Sequence, residues 1–142
     1  MIRTAAAVLF ALAFATSANA YELRAKSDSS QISVQELSDM VHKIGEEVGH
    51  NIPDSDQIRV HAIVQSKTRA NSSEILWNYR VELRKLLDGR DTPPYPVAGW
   101  FVIYTSEDFG IGTPEQAKSK LEGTIRKFFT ELKKVNPKTE AP

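Results

Sequence analysis

Cysteine is absent from all 142 residues. That single absence excludes disulfides, thiolate metal centres and thiol nucleophiles together, and it suits a chain that passes through an oxidising compartment. Charge of one sign is not in excess either: 18 Lys and Arg stand against 18 Asp and Glu. Such a balance points to neither nucleic acid nor an anionic membrane surface as a partner. The seven glycines form no phosphate-binding fingerprint, and no serine sits on a glycine-flanked elbow. No catalytic residue is therefore assigned, no cofactor is expected, and the balance leans away from an enzyme without deciding against a site assembled from distant residues.

Long apolar runs are also missing. The longest, residues 5–15, has eleven members, against roughly 20 for a helix that crosses a bilayer. Its surroundings give it another meaning. Arg3 supplies a positive start, and Ala18-Asn19-Ala20 places small residues where a signal peptidase reads them. Residues 1–20 are expected to be a signal peptide cleaved after Ala20. That leaves 122 of the 142 residues, in the periplasm or secreted, with no stable membrane anchor. A chain of that length forms one domain and buries about two-thirds of its unfolded surface, so it needs no staples.

The centre of the sequence is residues 73–87, SEILWNYRVELRKLL. Ile75, Trp77, Tyr79, Val81 and Leu83 fall on alternate positions, with Asn78, Arg80, Glu82 and Arg84 between them. A period of two predicts a half-buried strand with an aromatic inner face. Ile58, Val60, Ala62 and Val64 repeat the pattern one segment earlier, and the short polar link 66–73 favours an antiparallel pairing. A third strand is expected over residues 97–105, apolar on both sides: Trp100, Val102 and Tyr104 alternate with Phe101 and Ile103. Residues 106–112 (SEDFGIG) then read as a turn.

Helices flank these strands. Ser33 with Glu36, and Thr113 with Gln116, each fit a capping box, and Pro114 suits a first helical position. Val34, Leu37, Val41, Ile44 and Val48 make one apolar stripe; Ala117, Leu121, Ile125, Phe128, Leu132 and Val135 make the other. Residues 21–32, polar and serine-rich, are expected to be a flexible leader, and residues 137–142 a disordered tail. The predicted fold is thus one α+β domain over residues 33–136. It has a three-stranded antiparallel sheet in helix-strand-strand-strand-helix order, with both helices on one face.

Two constellations carry functional expectations. His42, Glu46 and His50, four apart, would align metal-binding types on an unbroken helix, but Gly45 and Gly49 interrupt the turn. No metal site is therefore assigned, and these three stand as candidates only. A strand apolar on both faces needs cover beyond two helices on one side. Tyr95, Phe101 and Ile103 are accordingly the expected interface residues, with Trp100, Val102 and Tyr104 facing outward instead in the other register of the strand. The leading expectation is an exported interaction module that binds a protein partner or dimerises through its sheet. The alternative is a periplasmic small-ligand or metal-binding protein, with possible hydrolytic activity, built around Trp77, Tyr79, Trp100 and the histidines.

Overall fold

The computed structural model describes residues 21–88 and 98–135. The expected signal peptide, the tail 137–142 and Tyr95 lie outside the described residues. The chain runs β1 (Glu22–Asp28), α1 (Val34–Val48), β2 (Ile58–Thr68), β3 (Ile75–Asp88), β4 (Ala98–Gly112) and α2 (Pro114–Leu132). It is α+β, as expected, but the sheet has four strands in the order β1-β2-β3-β4 and is mixed. β2, β3 and β4 form the expected antiparallel meander, whereas β1 adds to β2 in parallel. Parallel neighbours need a crossover, and α1 provides it.

Two segments differ from the expectation. Residues 21–32 are not a leader throughout, because β1 occupies their first half. Leu23 and Ala25 register against Val60 and Ala62 and pack on the core, while Arg24, Lys26 and Asp28 are exposed. Only two apolar side chains mark this edge strand, and its partner lies far along the chain, so composition hides it. Residues 106–112 are likewise strand rather than turn. β4 stays paired to β3 as far as Gly112 opposite Ile75. The glycines in this stretch make room for Trp77, since a Cβ on Gly110 would come within 2.7 Å of its indole. Asp108 accepts a hydrogen bond from Trp77 Nε1 at 2.7 Å.

Both capping boxes form as predicted. Ser33 and Glu36 exchange hydrogen bonds at the start of α1, and Thr113 and Gln116 at the start of α2. Gly49 takes φ 79° at the end of α1, a conformation that glycine adopts without a Cβ penalty. Lys133, just past α2, donates its ammonium to the Val48 carbonyl and satisfies the negative end of α1.

The helices share one face of the sheet. Leu37, Val41 and Ile44 of α1 and Leu121, Ile125, Phe128 and Phe129 of α2 meet Val60, Val64, Tyr79, Val81 and Leu83 in a single core. Tyr21 joins it, its ring between the helices. It contacts Phe129 at 6.1 Å, His42 at 5.4 Å and His50 at 4.9 Å between centroids. Gly45 permits that approach, for a Cβ there would lie 2.9 Å from Phe129 and 3.1 Å from the Tyr21 hydroxyl. Burial, with the Glu46 charge second, holds the Tyr21 phenol well above the ordinary tyrosine value.

Candidate functional site

With both helices on one face, the other face of the sheet stays uncovered among the described residues. It divides into an apolar end and a polar belt. At the apolar end Leu76 of β3 sits directly opposite Ile111 of β4, and Phe109 lies two positions before Ile111 on the same side. Phe109 is 82% exposed, and Leu76 and Ile111 are 45% exposed each. An aromatic ring so exposed beside two more large apolar side chains is unusual for a surface that meets only water.

The polar belt crosses all four strands. Arg24 of β1 pairs with Glu22 at 2.8 Å, and Arg59 of β2 approaches the same Glu22 carboxylate at 3.9 Å. Glu82 of β3, 3% exposed, takes Arg84 at 2.6 Å on one oxygen and Arg80 at 3.4 Å on the other. Arg80 extends the chain to Glu107 of β4 at 3.6 Å. The Arg59 guanidinium lies 3.7 Å above the Trp100 ring, a cation–π contact that closes the belt at its β4 end. Alternation along β3 sets Arg80, Glu82 and Arg84 on the outward side of a half-buried strand. Yet Glu82 is the buried hub, and Lys85, opposite Phe101, falls in register on the helix side.

His61 sits within this belt, across from Glu82 and next to Arg24 in register. Its Nε2 is buried without a hydrogen-bond partner, as is Arg59 Nε. Burial, followed by the positive charges of Arg84 and Arg59, brings the His61 pKa down to about 4, against a smaller opposing effect of Glu82. The folded protein therefore prefers the neutral ring, whereas the unfolded chain takes up a proton near pH 6.5. The stability this ring contributes is complete above pH 6.5 and lost as pH falls towards 4. Urea unfolding at pH 7, 5.5 and 4.5 should show His61→Gln losing less stability than wild type over that interval. Parallel losses in the two proteins would show that His61 plays no part in the acid response.

The expected metal candidates do not converge. His42 and Glu46 are exposed on α1, while His50 lies past its end, beyond the Gly49 cap. The two imidazoles flank Tyr21 instead of each other, and His50 Nδ1 accepts the Ile52 N–H at 3.3 Å. Among the described residues no group of three His, Asp or Glu is placed to hold a metal.

The expected interface residues are redirected by a β-bulge. The register between β3 and β4 shifts after Leu83/Arg84, so that Leu83 faces Tyr104 but Arg84 faces Val102, with Ile103 as the extra residue. Ile103 and Tyr104 consequently both pack on the core, and Tyr104 meets Phe128 at 5.6 Å between ring centroids. Phe101 registers with Lys85 on the helix side, which leaves Trp100 and Val102 for the open face. Phe109, the most exposed large apolar side chain among the described residues, lies in the stretch whose composition predicts a turn. The alternation of Asp108 and Gly110 on one side with Glu107, Phe109 and Ile111 on the other is the signal that marks it as strand.

No family model, curated protein or solved structure matches this chain. Function is therefore argued from the geometry alone. Among the described residues no helix is long and apolar enough to cross a membrane.

Proposed function

We propose that this protein is an exported, non-enzymatic interaction module, acting in the periplasm or outside the cell, that binds a protein partner through the open face of its sheet. The observation that carries this reading is Phe109, 82% exposed and flanked by Leu76 and Ile111 on a face that neither helix covers. Exposed aromatics of this kind serve as anchors, because a rigid ring buries a large area on association at little entropic cost. The carboxylates of the polar belt beside it are ion-paired with its arginines, so the belt frames the apolar patch as a polar rim. Cleavage after Ala20 fits the same picture. It leaves the buried Tyr21 ring in place, whereas a cut one residue later would remove it.

The test is capture of partners from the exported fraction of the source cells by residues 21–142 and by the Phe109→Ser variant. The variant should keep its thermal midpoint, since surface changes away from packed features stay within about 0.5 kcal/mol. It should lose partner affinity by about thirtyfold, the effect of truncating an interface anchor. Equal capture by both proteins would remove the open face as the binding surface.

A further inference from the structure

The two edges of the sheet are treated very differently. β1 is short, 7 residues, and carries alternating charge in Glu22, Arg24, Lys26 and Asp28. Those are the devices that stop an edge from recruiting another strand. β4 is 15 residues long and contains no Lys, Arg or Pro. Its hydrogen-bonded neighbour is β3 on one side, and on its other side no described strand pairs with it. Apart from the bulge at Ile103 and the carboxylates of Glu107 and Asp108, little along β4 discourages pairing.

Beside this edge lies an open cleft of about 360 Å³ between β4 and α2. Small residues bring the helix close there, with the Ser106 hydroxyl donating to the Thr124 carbonyl at 3.2 Å. At Gly123 the wall is open, since a methyl group placed there would meet no atom within 4 Å. Lys120 and Lys127 line the same cleft and have no ion-pair partner among the described residues. The acidic side chains of the cleft are already engaged, Asp108 by Trp77 and Glu107 by Arg80.

We propose that β4 and α2 form a groove that takes an extended acidic–apolar segment of the partner by strand addition, its backbone pairing with β4 and its carboxylates meeting Lys120 and Lys127. Strand addition supplies affinity through backbone hydrogen bonds and specificity through alternate side chains. The period of two then dictates the segment's chemistry. Side chains on the α2 side meet two lysines separated by about 10 Å along the helix, a span that carboxylates two to four residues apart can serve. Side chains on the opposite side lie along the open-face row Val102, Thr105, Glu107, Phe109 and Ile111, in which Glu107 is paired to Arg80 and the two ends are apolar, so the segment alternates acidic with apolar residues. A second copy of this chain fits less well. The β4 edge of such a copy offers only Glu107 and Asp108 as carboxylates, and these already take Arg80 and Trp77.

This inference deepens the interaction reading and rests on it. The probe is a fluorescein-labelled nine-residue peptide alternating Glu and Val, with a Lys and Val counterpart as control. Both are titrated by fluorescence anisotropy into residues 21–142 at low salt, and amide hydrogen exchange is followed along β4. The acidic peptide should bind and the basic one should not. Binding should weaken with salt and fall by about tenfold in Lys120→Glu/Lys127→Glu, the sum of two reversed exposed ion pairs. Amides of β4 should gain protection while those of β1 do not.

Binding no tighter than the control, or binding that leaves β4 exchange unchanged, overturns the groove. So does concentration-dependent protection of β4 without peptide, which would assign the edge to a second copy. Partner capture separates this failure from failure of the broader reading. A partner held equally by wild type and the lysine double variant, but lost from Phe109→Ser, removes the groove and leaves the open face standing. A partner held equally by all three proteins removes both.

Discussion

A protein that begins at Ser29 should melt about 15 °C below one that begins at Tyr21. The deleted residues carry three separate contributions. The Tyr21 ring, 6% exposed, fills the slot between the helices against Phe129, His42 and His50. Leu23 and Ala25 cover one margin of the core, and seven residues of parallel pairing cap the edge of β2. Truncating a buried aromatic costs about 3 kcal/mol by itself. Adding the strand takes the expected loss to about 4 kcal/mol, and each kcal/mol is worth about 4 °C in a domain of this size. Two point variants divide the effect. Tyr21→Ala should account for most of it. Tyr21→Phe should be neutral or stabilising by up to about 1 kcal/mol, because the Tyr21 hydroxyl is buried without a partner and its removal relieves that cost. If the shortened protein melts within a few degrees of the longer one, β1 is dispensable and the segment is a leader after all.

That prediction falls where the sequence was hardest to read. Elements specified locally were legible: the two capping boxes, the amphipathic stripes of α1 and α2, and the alternating faces of β2 and β3 all declare themselves within a few residues. β1 does not, because its pairing partner is Arg59 to Gln65, and a parallel edge strand with two inward apolar side chains looks like any polar segment. The bulge after Leu83 is similarly non-local. Nothing in VAGWFVIYT shows that Ile103 is an extra residue, yet that residue decides which side chains reach the open face. Once it is inserted, Ile103 and Tyr104 share the core and the expected interface moves. The exposed patch then centres on Phe109, in a stretch whose two glycines imitate a turn while in fact accommodating Trp77.

The polar belt was the least legible feature, since alternation placed Glu82 on a solvated face and the structure buries it. Glu82→Ala should cost about 3 kcal/mol, read as a drop in urea midpoint at pH 7. Arg80 is nearly half exposed and can turn to water, but Arg84 is 26% exposed and remains in the belt beside Arg59 without its counter-charge. Leaving one member of a buried pair uncompensated is what makes such deletions expensive. Glu82→Gln, which keeps the volume and one acceptor for Arg84, should lose about half as much. The decisive comparison removes both partners: Glu82→Leu with Arg84→Met should return to within about 1 kcal/mol of wild type, as apolar replacement of a buried pair does elsewhere. A double variant no better than Glu82→Ala would mean that Glu82 acts through shape and not through charge. His61 reports on the same point independently. Glu82 is the neighbour that raises its pKa, so in Glu82→Ala the imidazole should resist protonation further, with an NMR midpoint below the value of about 4 in the intact belt. A midpoint that rises would show that the carboxylate does not act on His61, and that the charge balance of the open face is set by the arginines alone.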